Sequence, residues 1–261
     1  MQDIFQLNKL AKFHNGKNIF FCKTDYLEQL FDSLRFYRRP SILISGNSDY
    51  PITDEVVLKA PSCVHKWFAQ SVNTTNPLVS ALPYGIENDE HCLIDGHGLG
   101  HQHAKKKIEV LLNPPKIFPQ KKIYANFSLN THPVRKEVSE LCKSLTYITT
   151  RICPDYRKIN NLSYDEFAKD ILEHKMAVCP RGNAPAETHR FWEVLHLNRV
   201  PIIKRNMGNS FFTELPVIVL EAWDKLADLD YLNSEYERVK NNSREMLYMT
   251  YWERKILNEC K

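Results

Sequence analysis

Two successive patterns of short apolar runs separated by amphipathic segments constrain the fold of this chain more than any other feature. In the first pattern, NIFFC (18–22) and SILIS (41–45) are typical of buried strands. Residues 25–37 between them carry apolar side chains at helical spacing, with Thr24 or Asp25 as the expected N-cap. Strands that alternate with helices in this way predict a parallel α/β sheet. Further strands are predicted at 64–69 and 79–82.

A proline-rich stretch from Asn113 to Pro119 separates the two patterns and is the most linker-like part of the sequence. We therefore predict an N-terminal α/β lobe over residues 1–116, a second α/β lobe over 117–242 and a C-terminal helix over 243–261. In the second lobe, Ser163 and Glu166 match a capping box and predict a helix start. Pro133 suits the first turn of another helix. Strands are predicted at 122–127, 145–149, 176–179, 200–204 and 216–220, and the helical pattern of the C-terminus begins at 234.

Composition and charge exclude several classes of protein. The 261 residues are 43% hydrophobic, enough for one large core or two modest ones. A net charge of +4 without strong basic clustering argues against a nucleic-acid partner. No run approaches the roughly 18 apolar residues of a membrane span, and the polar segment Met1–Lys12 is unlike a signal peptide. The seven cysteines are dispersed, which predicts reduced thiols in a cytoplasmic protein without a transmembrane segment.

The run from Cys179 to Glu193 predicts an anion site. An apolar strand enters a turn of Pro, Arg, Gly and Asn, and a helical pattern opens with Glu187. The first N–H groups of a helix lack partners and carry partial positive charge, so this arrangement suits a phosphate. Arg181 and Arg190 bracket the turn, and arginine binds phosphate through two parallel hydrogen bonds. We interpret the run as a phosphate-binding turn for a nucleotide.

Polar residues follow the predicted strands at the ends where parallel sheets bind ligands. After the first strand of the second lobe come Asn126, Ser128, Asn130 and Arg135, and Arg151 follows the next strand. Each of these is predicted to contact the ligand, although each also suits a turn or a cap. Asp49 holds the equivalent position after the second strand of the first lobe.

The segment CPRGNAPAETHRFWEVLHLNRVPIIK, residues 179–204, resembles the signature of exostosin-like glycosyltransferases. Segments at 123–128, 162–167 and 215–223 are similar to flanking motifs of that family, in the same order. In the first half the resemblance is weaker and rests on 45–49 and 82–87. The chain departs from the pattern at Ala184, where the family has glycine, and at Pro185-Ala186-Glu187, where proline stiffens the loop.

This resemblance implies a GT-B fold: two Rossmann-like lobes with a cleft between them and a C-terminal helix that crosses back to the first lobe. It implies an enzyme that transfers a sugar from a nucleotide-sugar to a glycan acceptor, with inversion and without a metal or other cofactor. The donor would be a UDP-sugar, with UDP-xylose among the candidates, and GDP-fucose is the main competitor. Small relatives of this type are those of bacteria and large DNA viruses, which implies a bacterial or host-cell cytoplasm.

The resemblance also implies roles for the residues of the turn and helix. Arg181 would contact the donor diphosphate, and Gly182, Asn183 and Thr188 would contact the donor. His189 and Glu193 are four residues apart and share one helix face. His189 would contact a phosphate or the sugar, and Glu193 would accept hydrogen bonds from the ribose hydroxyls, unless it is an exposed helix carboxylate. Arg190 would either bind the donor or brace the loop by pairing with a carboxylate.

Inverting transfer needs a base that takes the proton of the acceptor hydroxyl. Asp49 is the candidate base, and the competing interpretation is a turn residue in Gly-Asn-Ser-Asp-Tyr (46–50). Glu87 and Asp25 are weaker candidates for the same role.

Two patterns resemble metal motifs without predicting a metal. His97, His101 and His103 have a spacing that zinc sites use, but a glycine-rich loop explains them better. Asp228-Leu229-Asp230 is nominally a DxD motif, and we interpret it as a loop or helix cap because no strand precedes it.

Two other functions compete with transfer. A non-catalytic protein that binds glycans or nucleotides on a degenerate GT-B fold would explain the atypical first half. A nucleotide-binding oxidoreductase is disfavoured, because no GxGxxG follows the first strand of either lobe.

Overall fold

A computed structural model describes residues 3–88, 104–155, 163–185 and 187–260. Within these ranges the chain is an α/β protein whose strands pair in parallel and alternate with helices. The stretch 89–103, which contains the predicted histidine-rich loop, lies outside the described residues.

The first sheet has four parallel strands in the order β1-β2-β4-β6. All six residues of β2 are buried, as expected for an apolar central strand of a parallel sheet covered on both faces. A separate parallel pair, β3 with β5, lies beside it. The elements are β1 (Ile19–Lys23), α1 (Leu27–Leu34), β2 (Ser41–Gly46), β3 (Ile52–Thr53), α2 (Asp54–Leu58), β4 (Val64–Ala69), β5 (Val72–Asn73), β6 (Val79–Ala81) and α3 (Ala104–Leu112).

The second sheet has five parallel strands in the order β11-β10-β9-β7-β8. The chain runs from β7 to β8 in one direction and then crosses to build β9, β10 and β11 on the other side. The connections therefore reverse between β7 and β9, and such a switch point leaves a crevice at the carboxyl ends of the strands. The elements are β7 (Lys121–Ala125), α4 (Val134–Ser144), β8 (Ile148–Thr150), α5 (Tyr164–Leu172), β9 (His174–Val178), α6 (His189–His196), β10 (Val200–Lys204), β11 (Ile218–Leu220), α7 (Leu229–Val239) and α8 (Met249–Asn258).

Local capping signals decided some helix starts and not others. The predicted capping box is confirmed: Ser163 Oγ accepts from Glu166 N–H, and the Glu166 carboxylate accepts from Ser163 N–H. The predicted cap at Thr24 or Asp25 is wrong, because these residues form a 3₁₀ turn that ends at Tyr26, before α1. That helix ends at Leu34, three residues before the predicted end.

The predicted starts of two strands were wrong, because a turn precedes each strand. The strand predicted at 145–149 begins at Ile148, because the Ile148 N–H donates to the Leu145 carbonyl at 3.0 Å and closes a turn. The strand predicted from Pro216 begins at Ile218, after a bond from Val217 N–H to the Leu215 carbonyl. Apolar periodicity identifies such a run but does not show where its backbone leaves the turn.

The C-terminal segment packs against the start of the chain. The helical pattern predicted from 234 corresponds to the end of α7, a 3₁₀ turn at Glu245–Leu247 and α8, and α8 lies within the range 243–261 predicted for the C-terminal helix. Met249 N–H donates to the Asp3 carbonyl, and the rings of Trp252 and Phe5 meet edge to face at 6.0 Å. Trp252 is 1% exposed, so α8 completes a core shared with the first sheet. Among the described helices, none is long and apolar enough to cross a membrane.

Candidate functional site

Two cavities open at the carboxyl edge of the second sheet and meet at Cys179, which lines both. The smaller has a volume of about 200 Å³ and lies at the switch point between β7 and β9. The larger has a volume of about 270 Å³ and lies beyond β9 and β10. The smaller cavity is lined by Glu87, Lys107, Asn126, Phe127, Ser128, Arg135, Cys179, Pro180, Thr188, His189, Arg190 and Glu193. The larger is lined by His132, Val134, Cys179, Arg181, Glu187, Ile203, Lys204, Arg205, Asn206, Asn209 and Trp223.

Arg135, at the start of α4, connects the two loops that leave β7 and β9. Its Nε donates to the Arg181 carbonyl at 2.8 Å, its Nη1 to the Ser128 carbonyl at 3.0 Å and its Nη2 to the Pro180 carbonyl at 3.2 Å. The residue is 8% exposed, and this burial, together with the charge of Arg190, lowers its pKa to about 10. Within the described residues no carboxylate pairs with Arg135, so a guanidinium that stays charged at neutral pH lies at the cavity without a counter-charge.

The N-terminus of α6 faces the same place. Thr188 is its N-cap residue, with extended backbone, so the helix begins two residues after the predicted start at Glu187. The Thr188 Oγ1 atom is buried and has no hydrogen-bond partner among the described residues. Gly182 lies beside it: a Cβ placed on Gly182 would contact Arg135 Nη2 and Thr188 Cγ2, each at 3.5 Å. Free helical N–H groups, an unmatched guanidinium and a free hydroxyl thus converge on one cavity.

His189, the first residue of α6, reaches the segment that follows the first sheet. Its Nδ1 lies 2.8 Å from the Gly85 carbonyl, which accepts only, so Nδ1 carries the proton and donates. In neutral His189 the Nε2 atom is therefore an acceptor. The ring also meets Tyr84 edge to face at 5.9 Å.

Glu193 belongs to a buried network of charges. Its Oε1 pairs with Lys107 Nζ at 2.8 Å and its Oε2 with Arg190 Nε at 3.0 Å. The Lys107 ammonium also pairs with Glu87 Oε1. Glu193 is 3% exposed, so its interpretation as an exposed helix carboxylate is wrong. Each of its oxygens already pairs with a cation, so any ribose hydroxyl would share an oxygen with Lys107 or Arg190.

The charges of this network shift one another's pKa. Burial raises the pKa of Glu87 and of Glu193, but the surrounding cations together outweigh it and hold both pKa values below the ordinary value: Lys107 with His189 at Glu87, and Lys107 with Arg190 at Glu193. Burial lowers the pKa of Lys107, and the two carboxylates outweigh it and raise that pKa. Arg190 adds a bond to the Asn126 carbonyl and stacks over the Phe167 ring at 4.0 Å. The network is therefore charged at neutral pH and holds Arg190 against the protein.

Glu187 lies in a different environment, on the wall of the larger cavity. It is 5% exposed, and its Oε1 accepts from Tyr84 N–H at 3.0 Å and from Trp192 Nε1 at 3.1 Å. Burial raises its pKa to about 7, since the hydrogen bonds from these neutral donors lower the pKa by less than burial raises it. The predicted site did not include Glu187. Its only signal was its place as an acidic residue before the helix, which suggested a cap.

The structure brings Asp49 towards the loop after β9. Asp49 is exposed beyond the end of β2, and Asn183 Nδ2 donates to its Oδ2 at 3.3 Å. Arg181 folds over its own loop, with Nε donating to the Gly182 carbonyl and Nη2 to the Asn183 carbonyl. Of the two weaker base candidates, Asp25 pairs with Lys23 at 3.8 Å and Glu87 pairs with Lys107 in the buried network.

Four predicted ligand contacts line neither cavity: Asn130, Arg151, Gly182 and Asn183. Asn130 donates to Asp155 Oδ1 at 2.8 Å. Arg151 pairs with Asp170 at 3.2 Å, and that carboxylate also accepts from the Tyr124 hydroxyl. Arg151 follows β8, the edge strand of the second sheet, which lies away from the switch point, and Asn130 follows β7 but bonds to a residue that follows β8.

Lys107 was also absent from the prediction. It ends the run Lys105–Lys107, and three successive lysines are typical of a solvated surface. In the helix α3 only Lys107 of the three turns inward, with 13% of its side chain exposed. No local pattern in the sequence distinguishes it from its neighbours.

Of the two sequence patterns that resemble metal motifs, the structure describes only the second. His97, His101 and His103 lie outside the described residues. The predicted cap at Asp228 is confirmed, because its Oδ1 accepts from Tyr231 N–H at 3.0 Å at the start of α7. Over the described part of the chain, no group of three or more possible ligands is placed to hold a metal.

No family model matches the sequence, and no curated protein matches it.

Proposed function

We propose that this protein is a glycosyltransferase that moves a sugar from a nucleotide-sugar to a glycan hydroxyl, and that the donor occupies the two cavities at the carboxyl edge of the second sheet. The proposal joins the resemblance of residues 179–204 to exostosin-like enzymes with the chemistry of the cavity walls. A UDP-sugar is the first candidate donor, UDP-xylose included, and GDP-fucose is the second.

The observation that carries the proposal is the buried, unmatched guanidinium of Arg135. Removing a charge from water without a counter-charge costs several kcal/mol of free energy. That cost is comparable to the free energy of unfolding of many domains. A phosphate at the switch point offsets that cost, since it supplies negative charge to Arg135 and acceptors to the N–H groups of α6. The same groups would stabilise the negative charge that develops on the diphosphate when it leaves the transferred sugar.

The walls of the two cavities suggest how the donor is oriented. The larger cavity has apolar walls from Val134, Ile203 and Trp223, which suit the faces of a nucleobase. The smaller cavity is polar and charged, which suits phosphate and sugar. With the diphosphate at their shared wall, near Cys179 and Gly182, the base lies in the larger cavity and the sugar in the smaller.

The acceptor then approaches from the side of the first sheet. Asp49 stands at that side, in contact with Asn183 of the proposed donor loop, and it is the proposed base. In the GT-B arrangement that this proposal includes, residues 1–116 form the acceptor lobe, 117–242 form the donor lobe and the helix in 243–261 returns to the acceptor lobe.

Calorimetry of the whole chain with UDP, GDP and CMP tests the donor site. We expect one nucleotide to bind with a clear preference over the other two. Gly182→Ala should weaken that binding about tenfold, because the added methyl group occupies the space between Arg135 and Thr188 where a phosphate would approach. Thermal unfolding is the control, since the methyl group makes only ordinary contacts and the variant should keep its melting temperature.

Turnover separates an enzyme from a non-catalytic binder. A screen of nucleotide-sugars with glycan acceptors, measured by nucleotide release, should give transfer by the wild-type protein. Binding of a nucleotide without release in any combination would favour the non-catalytic alternative. No binding of any nucleotide would refute the donor site itself.

A further inference from the structure

Two buried polar atoms beside the smaller cavity have no partner among the described residues: Glu87 Oε2 and Thr188 Oγ1. Buried polar groups in folded proteins are nearly always hydrogen-bonded, so each such atom calls for an explanation. Thr188 lies on the side of Arg135 and the α6 N-terminus, where the proposed phosphate would accept a hydrogen bond from its hydroxyl. Glu87 lies with Lys107 and Glu193, and its free oxygen calls for a different ligand group.

The backbone around Glu87 is held rigidly in place. Gly85 has φ of +62°, and a Cβ there would lie 2.5 Å from the Phe5 carbonyl oxygen, so only glycine fits. Ile86 N–H donates to the same carbonyl at 3.2 Å, and Gln6 Nε2 donates to the Glu87 carbonyl at 2.6 Å. These contacts fix the backbone of Glu87, and the ion pair with Lys107 fixes its carboxylate at the cavity before any ligand arrives, which reduces the entropic cost of binding.

The charge on Glu87 determines which ligand group suits it. Lys107 holds Oε1 and keeps the carboxylate ionised, so the free Oε2 accepts hydrogen bonds and does not donate them. A phosphate oxygen there would meet a like charge. A neutral hydroxyl can donate a hydrogen bond to Oε2 and so supply its missing partner. Hydrogen bonds to charged groups are stronger than those between neutral groups.

We infer that the Glu87 side of the smaller cavity binds hydroxyl groups of the sugar being transferred, with Glu87 Oε2 accepting from one hydroxyl and His189 Nε2 from a second. This inference rests on the proposed function and adds to it the residues that distinguish the sugar from the rest of the donor. The smaller cavity is thus divided, with cations and helical N–H groups for phosphate on one side and acceptors for hydroxyls on the other.

The test compares UDP with UDP-sugars on the wild-type protein and on Glu87→Gln. The glutamine keeps the size and an oxygen for Lys107, but it can place an N–H donor where a hydroxyl would donate. For the UDP-sugar that the wild type binds best, we expect calorimetry to show a loss of about tenfold or more in affinity. The affinity for UDP alone should stay within about twofold, because UDP lacks the transferred sugar.

The controls keep the outcomes apart. Glu109→Gln removes an exposed carboxylate from α3 and should change neither affinity. If Glu87→Gln lowers the melting temperature, Glu87→Asp keeps the charge but withdraws the carboxylate, and it should show the same selective loss. Equal losses for UDP and the UDP-sugar would place Glu87 against the ribose or in a purely structural role and overturn the inference. So would unchanged affinity for both. Absence of any nucleotide binding by the wild type would instead refute the proposed function, and this inference with it.

Discussion

Glu187 and Glu193 lie six positions apart, and both are buried where the second sheet meets segments from the first half of the chain, yet their surroundings are opposite. Glu193 lies between two cations, Lys107 and Arg190, and its pKa is lowered. Glu187 accepts from the neutral N–H groups of Tyr84 and Trp192, and its pKa is raised to about 7. Burial acts on both carboxyls in the same direction, so the nearby cations decide the difference.

The comparison separates a structural use of a buried charge from a responsive one. The Glu87–Lys107–Glu193–Arg190 network stays ionised over the whole physiological range. Glu187 changes its protonation close to neutral pH, at the wall of the larger cavity. Such a pair of carboxyls, with pKa values moved apart by their environments, is typical of sites that handle protons, although structural networks also produce it.

The largest change in stability is expected when the Lys107 cation is removed, since Lys107 makes the surroundings of Glu193 differ from those of Glu187. Lys107→Met leaves Glu87 and Glu193 buried without their shared partner, which should reduce the free energy of unfolding at pH 7 by about 3–5 kcal/mol. Urea unfolding measures this change. Lys106→Met is the matched control on the same helix: its pair with Asp165 is exposed and should contribute at most about 1 kcal/mol. Equal effects of the two substitutions would show that the buried network is not held by Lys107.

A smaller effect of opposite sign is expected at Glu187. Its pKa is raised from 4.5 to about 7 on folding, so the folded protein binds this proton more tightly. Stability from this group is present below pH 4.5 and is lost as pH rises through 7. Glu187→Gln keeps an oxygen for Tyr84 N–H and Trp192 Nε1, and it should increase the free energy of unfolding at pH 8 by up to about 3 kcal/mol. At pH 4.5 the gain should vanish.

Unfolding of the wild type and Glu187→Gln at several pH values measures this difference. Glu137→Gln, at an exposed position of α4, is the control and should follow the wild type. A variant at Glu187 that keeps the wild-type pH dependence would place the near-neutral titration elsewhere in the molecule.

The smallest effect concerns His196, at the other end of α6. Burial lowers its pKa to about 3, against an opposing effect of Glu193. The unfolded chain binds this proton below about pH 6.5, so stability from the neutral ring is present above that pH and is lost as pH falls towards 3. At pH 5 the loss should be about 2 kcal/mol relative to pH 8. In the Glu187→Gln background, His196→Gln should flatten this acid-side loss.

The matched control for His196 is His65→Gln, at an exposed position of β4, which should leave the acid-side slope as it was. Persistence of the full slope in the His196 variant would assign acid sensitivity to other groups.

Much of the fold follows from local patterns. The apolar runs at 41–45, 64–69 and 200–204 became strands, and the capping box at Ser163 began a helix, because apolar periodicity and caps act over a few residues. The strands at 148 and 218 began later than predicted, because a turn bond consumed the residues before each. The parallel order of the second sheet then accounts for why Asn126 and Ser128 after β7 meet the residues after β9 at one cavity, while Arg151 after the edge strand β8 does not.

The sequence by itself determined the α/β class. It also predicted a larger set of ligand contacts, from which the structure brings Arg135, Thr188, His189 and Arg190 to one cavity. Only the tertiary structure decided which charges are paired. Tyr84 and Glu187 meet across 103 residues of chain, and Lys107 reaches Glu193 from a separate helix. Coulomb energy and desolvation depend on distances in space, which no spacing along the chain records. For that reason one buried glutamate remains an anion at neutral pH and the other can take up a proton.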